Sequence, residues 1–156
     1  YIELELEGDQ REFSAAKKGE VLVHEENHRF TRQLVSDHHQ WLADEPPGIG
    51  DNRGPDPYEH LLAALGACTS MTLRMYANRK KIALDDVVVN LRHSREHGED
   101  CQHCDEQSKK VDLLHRQVTL KGNLSAEQRQ RLMEIADRCP VHQTLENKIV
   151  IKTELV

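Results

Sequence analysis

Two cysteines are the residues of this chain best suited to chemistry. Cys68 lies in a run of small and apolar residues that is typical of a buried helix, and Cys139 is followed at once by Pro140. A two-cysteine redox site needs one thiol that attacks a substrate as a thiolate and another that resolves the oxidised product as a disulfide. Redox chemistry is therefore the leading hypothesis, although the sequence alone does not bring the two cysteines together.

The surroundings of the two thiols predict different acidities. An apolar helix disfavours the thiolate of Cys68 unless a cation or hydrogen-bond donor is close, and Arg29 and Arg32 are candidate cations. Pro140 at a first helical position makes Cys139 the N-cap, where backbone N–H groups favour the thiolate. The alternatives are an ordinary core cysteine at position 68, exposed strand arginines, and a simple helix break at position 139.

Acidic and imidazole side chains flank both cysteines. Glu59 lies in the predicted first turn of the Cys68 helix, where it either orients an arginine through a bidentate hydrogen bond or favours the positive end of the helix. His60 and His142 either tune the thiols or are polar residues at helix ends. The redox hypothesis requires neither a cofactor nor a metal.

A second cluster of potential ligands comprises His97, Cys101, His103 and Cys104. A C-x-x-C pair with nearby histidines is a ligand set that zinc uses, and a redox dithiol is the other interpretation. No second C-x-x-C follows, so a zinc site here needs a distant histidine or a second subunit.

Length and composition restrict the possible classes of protein. The chain has 156 residues, the length of one ordinary domain, and its net charge of −6 comes from acids and bases mixed along the sequence. That mixture argues against a nucleic-acid partner, which requires clustered Lys and Arg. We find no membrane-span pattern and no signal-peptide pattern, and four cysteines without such a signal predict a cytoplasmic location.

The order of predicted elements indicates an α+β fold with helices segregated from antiparallel strands. Alternation at residues 2–7 predicts an edge strand or the end of an upstream domain, so residues 1–18 are assigned to an N-terminal segment and 19–156 to the main domain. The predicted strands are 21–25, 30–35, 40–43, 86–93, 111–121 and 148–155, and the predicted helices are 57–81, 125–138 and 141–145. The first helix has few polar residues, and we expect it to be central and covered on most sides.

Two segments carry a family resemblance. Residues 54–68 read GPDPYEHLLAALGAC and residues 139–142 read CPVH. In this order, with the intervening strands and helix, they resemble the OsmC/Ohr family of osmotically inducible and organic hydroperoxide resistance proteins, over about residues 21–156. The resemblance implies an OsmC-like fold, in which antiparallel sheets wrap around long central helices in an intertwined homodimer.

The same resemblance implies a thiol-dependent peroxidase. Cys68 matches the peroxidatic cysteine, which reduces an organic hydroperoxide to an alcohol and becomes a sulfenic acid. Cys139 matches the resolving cysteine, which forms a disulfide with Cys68 that a cellular dithiol reduces. Glu59 matches a glutamate that holds an arginine near the thiolate, and Arg32 or Arg29 is the expected arginine.

One departure from the family pattern places the chain in the broader OsmC-like group. Gly66-Ala67-Cys68-Thr69 stands where the best-known peroxidases of the family have Ala-Ala-Cys-Phe. The alternative function is a non-catalytic dimeric module that binds a small ligand or zinc. A third is a domain that dimerises a larger enzyme, because some relatives follow a hydrolase domain in one chain.

Overall fold

The computed structural model describes residues 15–97 and 110–156 and has the predicted α+β architecture, with antiparallel sheets and helices. Its elements in chain order are β1 (Leu22–Glu25), β2 (Arg32–Val35), β3 (Gln40–Ala43), α1 (Pro57–Lys80), β4 (Asp86–His97), β5 (Lys110–Lys121), α2 (Ala126–Ala136) and α3 (Pro140–Glu146). The chain divides into two compact units, one up to Pro57 and the other from Tyr58. The predicted strand at residues 2–7 lies outside the described residues, and the domain boundary at residue 18 stays a prediction.

The first unit is a three-stranded antiparallel meander in the order β1-β2-β3. Strand β2 begins at Arg32 and not at the predicted residue 30, because Asn27 Oδ1 accepts hydrogen bonds from the backbone N–H groups of Arg29 and Thr31 and holds that stretch as a turn. The loop after β3 is anchored by Asp44, which is 2% exposed. Its carboxylate accepts hydrogen bonds from the Thr31 hydroxyl at 2.8 Å and from the backbone N–H of Glu45 at 2.7 Å.

The second unit packs α1 and α2 against the long antiparallel pair β4–β5. Gly66 of α1 lies so close to β4 that a Cβ there would meet Leu91 Cδ1 at 2.7 Å, so this glycine permits the close approach of helix and strand. The buried core cluster of this unit consists of Leu73, Ala77, Leu84, Leu132, Ile135 and Ala136. Burial of these side chains is the main stabilising contribution to the unit.

Helix α1 is covered on one face only within the described chain, whereas its sequence predicts cover on most sides. Leu65, Thr69 and Leu73 are buried, but Met71 and Met75 are 65% and 72% exposed. None of the described helices is both long and apolar enough to cross a membrane. Within the part of the chain that the structure describes, α1 therefore keeps exposed apolar side chains such as Met71 and Met75.

Two helix starts follow their sequence signals closely. Ser125 caps α2 through a capping box: its side chain accepts from the Gln128 N–H at 3.1 Å, and the Gln128 side chain accepts from the Ser125 N–H at 3.0 Å. Cys139 is the N-cap of α3, with Pro140 as the first helical residue. The cysteine therefore stands at a fixed point where one helix has ended and the next begins.

The prediction of a closing strand at residues 148–155 is wrong, because the structure has no regular element there. A strand is held by ladder hydrogen bonds to a neighbour, and in this chain none of the strands in the described part pairs with this segment. Ile149, Val150 and Ile151 are 52%, 67% and 84% exposed. Apolar composition alone therefore does not make this segment a strand within one chain.

Candidate thiol site

The fold brings the two predicted cysteines together. Cys68 lies in the middle of α1 and Cys139 caps α3, and both are free cysteines that lie close enough for each thiol to shift the pKa of the other. Cys139 is 0% exposed, whereas Cys68 is partly exposed. The arrangement therefore leaves Cys68 partly accessible to a small reactant and encloses Cys139.

Cys139 is the more acidic thiol of the pair. Burial acts to raise its pKa, but hydrogen bonds outweigh burial and hold the pKa below the usual value of 9.0. They come from the Cys68 thiol, the His142 and Val141 backbone N–H groups and the Thr69 hydroxyl. The His142 nitrogen lies 3.5 Å from the sulfur. These donors favour the thiolate form of Cys139.

Cys68 behaves in the opposite way. Burial and the hydrogen bond that its thiol donates to Cys139 raise its pKa above 9.0, while hydrogen bonds from Val141 and Thr72 partly offset the increase. The two sulfurs therefore share protons unequally: Cys68 holds its proton more tightly than Cys139 does. Interacting thiols titrate as a pair, so the first proton lost belongs to the pair, with its charge centred on Cys139.

An arginine of β5 stands beside the thiol pair. Arg116, whose side chain is 12% exposed, donates from Nη1 to the Thr69 hydroxyl at 2.9 Å and from Nη2 to Asp137 Oδ1 at 3.0 Å. Its Nη2 also lies 2.9 Å from His142 Nδ1. A guanidinium has only donors, so this histidine nitrogen accepts, and the proton is assigned to Nε2, which lies 2.8 Å from Glu146 Oε1.

A cavity of about 690 Å³ opens beside this network within the second unit. Its lining includes the apolar side chains Leu61, Leu65 and Met133 and the polar side chains His93, Arg116 and His142. The volume lies in the range of small-molecule sites, which combine apolar walls with a few polar groups. A small organic molecule fits the cavity in both size and character.

A second polar cluster borders the same cavity. The Asp112 Oδ1 atom lies 2.7 Å from His93 Nε2 and 3.1 Å from Arg95 Nε, and Arg95 Nη2 donates to the Tyr58 hydroxyl at 3.0 Å. The hydrogen bonds from His93 and Arg95 hold the pKa of Asp112 below its usual value. This cluster orders one rim of the cavity and has no contact with the thiols among the hydrogen bonds described.

The other predicted site residues are placed as follows. Arg32 binds Glu25 Oε1 at 3.0 Å and donates to two backbone carbonyls, and Arg29 pairs with Asp51 at 3.3 Å, all within the first unit. Glu59 is exposed in the first turn of α1. The roles of Arg32, Arg29 and Glu59 at the thiols stay predictions.

Arg116 was not among the predicted site residues, although the sequence contains a signal for it. Residues 114, 116, 118 and 120 alternate along β5 toward the less exposed side, and three of them, Leu114, Val118 and Leu120, are apolar. A charged residue at an inward position of such a strand is costly to bury unless it is paired. This position therefore marks a polar site beneath the strand.

The proposed zinc ligands cannot be placed. Cys101, His103 and Cys104 lie outside the described residues, and His97 is the last residue of β4 before that gap. Elsewhere, in residues 15–97 and 110–156, no three His, Cys, Asp or Glu side chains are grouped to hold a metal ion.

Comparison with known proteins assigns the family. The family model of OsmC-like proteins matches residues 50–154, a range that includes α1, both cysteines and the cavity. The chain belongs to the OsmC-like family, which confirms the resemblance carried by residues 54–68 and 139–142. No curated protein sequence matches the chain.

Solved structures share the fold at low sequence identity. The OsmC-like protein of Mycoplasma pneumoniae is 22% identical with a TM-score of 0.66, covering 83% of this chain and 88% of its own. An organic hydroperoxide resistance protein OsmC of Legionella pneumophila is 18% identical with a TM-score of 0.57, covering 81% and 87%. An organic hydroperoxide resistance protein of Elizabethkingia anophelis is 19% identical with a TM-score of 0.56, covering 80% and 84%. These similarities establish the fold.

Proposed function

We propose that this protein is a thiol-dependent peroxidase that reduces organic hydroperoxides to alcohols, with Cys68 as the peroxidatic and Cys139 as the resolving cysteine. The observation that carries the proposal is the proximity of the two thiols, each of which shifts the pKa of the other. A peroxidatic thiol needs access to its substrate and a second thiol within reach of its sulfenic acid. The partly exposed Cys68 and the buried Cys139 behind it meet both needs.

The cavity supports an organic substrate. The apolar residues of its lining, which include Leu61, Leu65 and Met133, favour the carbon skeleton of an organic hydroperoxide over hydrogen peroxide. The Legionella and Elizabethkingia proteins that share the fold are named as organic hydroperoxide resistance proteins, which agrees with this substrate class. A cellular dithiol then reduces the disulfide by thiol–disulfide exchange.

The proposal includes an intertwined homodimer in the cytoplasm. The exposed Met71 and Met75 on α1, and Ile149, Val150 and Ile151 near the C-terminus, form apolar surface that one chain leaves open. A second copy of the chain that covers α1 would also account for the few polar residues on that helix. Sedimentation equilibrium tests the dimer: a mass of one chain over the micromolar range contradicts it.

The first experiment adds one equivalent of cumene hydroperoxide to the reduced protein and maps disulfides by peptide-resolved mass spectrometry. We expect a rapid disulfide between Cys68 and Cys139, accompanied by one equivalent of the alcohol. Cys139→Ser should stop at an oxidised Cys68, and Cys68→Ser should lose hydroperoxide turnover. Full turnover in Cys68→Ser contradicts the proposal.

A second candidate function rests on the cavity alone. Its volume of about 690 Å³ suits a non-catalytic module that binds a small ligand, and the zinc variant of that idea places the metal at His97, Cys101 and Cys104. Both thiols then stay free after peroxide treatment. Metal analysis of protein purified without added zinc separates the two forms of this candidate.

A further inference from the structure

The Thr69 hydroxyl links Arg116 to the buried sulfur. Thr69 is 0% exposed, and its oxygen accepts a hydrogen bond from Arg116 Nη1 at 2.9 Å. The same hydroxyl donates to the Leu65 carbonyl oxygen at 2.7 Å and also helps to hold the pKa of Cys139 below its usual value. A hydroxyl has one proton, so it can serve only one of these two acceptors at a time.

The charge on Cys139 decides between those acceptors. When Cys139 is a thiol, the Thr69 hydroxyl is best placed as a donor to the Leu65 carbonyl oxygen, like any helical threonine that donates a hydrogen bond to the carbonyl one turn earlier. When Cys139 is a thiolate, the hydroxyl gains by turning toward the negative sulfur, since hydrogen bonds to ionised acceptors are the stronger ones. The guanidinium on the other side of the hydroxyl polarises it and adds to that preference.

Other charged and polar groups near the two cysteines come from three elements of the fold. Asp137, between α2 and α3, neutralises part of the guanidinium charge at 3.0 Å but is largely exposed. On α3, His142 Nε2 lies 2.8 Å from Glu146 Oε1, and His142 Nδ1 also contacts Arg116 Nη2. From α1, the Cys68 thiol, the Thr69 hydroxyl and the Thr72 hydroxyl are the described groups that act on the thiols. Arg116 is thus the positive charge joined to Cys139 by a described chain of hydrogen bonds.

We propose that Arg116 is a positioning residue that, through Thr69, favours the thiolate form of Cys139, and that this thiolate takes the proton of Cys68 as Cys68 attacks the hydroperoxide. This inference rests on the proposed function and assigns it a base. The Cys68 and Cys139 thiols act directly on each other, so the transfer needs no further group.

The step balances in protons and electrons. Cys139 removes the Cys68 proton, and the Cys68 sulfur forms a bond to the terminal oxygen of the hydroperoxide as the O–O bond breaks. The departing alkoxide takes the proton from Cys139, which leaves an alcohol, a Cys68 sulfenic acid and a Cys139 thiolate. That thiolate attacks the Cys68 sulfur and displaces hydroxide, so the sulfurs are oxidised to a disulfide and the peroxide is reduced.

The test follows thiolate absorbance at 240 nm against pH in full-length protein that carries Cys101→Ser and Cys104→Ser. Removing those two cysteines leaves only the pair to titrate. Thr69→Val removes the hydroxyl and keeps the shape, with Thr69→Ser as the matched control that restores it. Arg116→Met removes the charge, with Arg116→Lys as the control that retains it.

We expect Thr69→Val and Arg116→Met each to raise the first thiolate midpoint by about one pH unit, with Thr69→Ser close to the parent protein and Arg116→Lys between. The low-pH thiolate should persist in Cys68→Ser and disappear in Cys139→Ser. Unmoved midpoints in both Thr69→Val and Arg116→Met overturn the proposal, and so does a low-pH thiolate that is lost in Cys68→Ser but kept in Cys139→Ser. If Arg116→Met does not fold, as judged by thermal unfolding, Thr69→Val decides.

The titration uses no peroxide, so its outcome is independent of the proposed function. Wild-type turnover without midpoint shifts removes the role of Arg116 and leaves the peroxidase in place. Midpoint shifts without wild-type turnover remove the peroxidase, and with it the role of Cys139 as the base in peroxide attack.

Discussion

The rings of Tyr58 and His93 stack with their centroids 4.5 Å apart and their planes inclined by 14°. The contact joins the first turn of α1 to the middle of β4, at the rim of the cavity. Arg95 adds a hydrogen bond to the same tyrosine, so ring packing and hydrogen bonding both fix this rim. These two contributions can be separated by substitution.

Tyr58→Phe removes the hydroxyl and keeps the ring, whereas Tyr58→Leu removes both. We expect Tyr58→Phe to have a small effect, because Arg95 is exposed and water can replace the lost acceptor. Tyr58→Leu should reduce the free energy of unfolding by about 0.5–1.5 kcal/mol more than Tyr58→Phe does, which is the usual contribution of an aromatic pair beyond its buried area. Urea denaturation measures both. Equal losses in the two variants would show that the stack contributes nothing.

Met133 provides a test of the cavity as the substrate site. It lines the cavity from α2 and is 43% exposed, so a larger side chain can be placed there at little cost to folding. Met133→Trp should raise KM for cumene hydroperoxide on the order of tenfold, equivalent to ~1.4 kcal/mol of binding, with a smaller effect on tert-butyl hydroperoxide. Gln130→Trp, at an exposed position of the same helix, is the matched control. Equal changes for both substrates argue against this cavity.

Leu132 tests the core of the second unit. Its side chain is 0% exposed in the cluster formed with Leu73 and Ile135. Leu132→Ala should lower the free energy of unfolding by about 2–5 kcal/mol, since it removes apolar burial and leaves a cavity. Gln130→Ala, two positions away and exposed, should stay within about 0.5 kcal/mol of wild type in the same denaturant series. A loss under about 1 kcal/mol for Leu132→Ala would mean that the core lies elsewhere.

Asp44 should make stability depend on pH at the acidic end. Burial acts to raise its pKa, but hydrogen bonds from Thr31, Glu45, Arg53 and Asp51 outweigh burial and hold the pKa below the usual 3.8. A carboxyl group with a depressed folded pKa contributes stability above its unfolded pKa, and that contribution is lost as the pH falls through the folded pKa. We expect Asp44→Asn to be less stable than wild type at pH 7 and the difference to shrink below about pH 4. A difference that stays constant down to pH 2 contradicts this assignment.

Local signals predicted those parts of the fold and site that depend on neighbours in sequence. Pro140 identified Cys139 as an N-cap, and Ser125 with Gln128 identified the start of α2, because capping is decided within one turn. Pairing between strands that are distant in sequence could not be predicted from such local signals. The segment at 148–155 has the composition of a strand, but a strand also requires a neighbouring strand, which composition does not specify.

Arg116 illustrates the same limit at the site. Its inward position on β5 was visible in the alternation of the strand, but its target was not. The contact with Thr69 depends on how α1 lies against β5, and that packing is set by features far away in sequence, such as the close approach of Gly66 to Leu91. A family motif therefore located both cysteines, while the cation beside them required the folded chain.

Because the thiols of Cys68 and Cys139 already lie close enough to interact before any oxidation, we expect a bond between them to form without unwinding a helix. Amide hydrogen exchange along α1 and α3 should therefore be nearly the same in the dithiol and disulfide forms. A protein of this kind would switch its redox state with little change in the backbone that a partner or protease meets. Its turnover rate would then be limited by the supply of peroxide and reductant, and not by a conformational change of the fold.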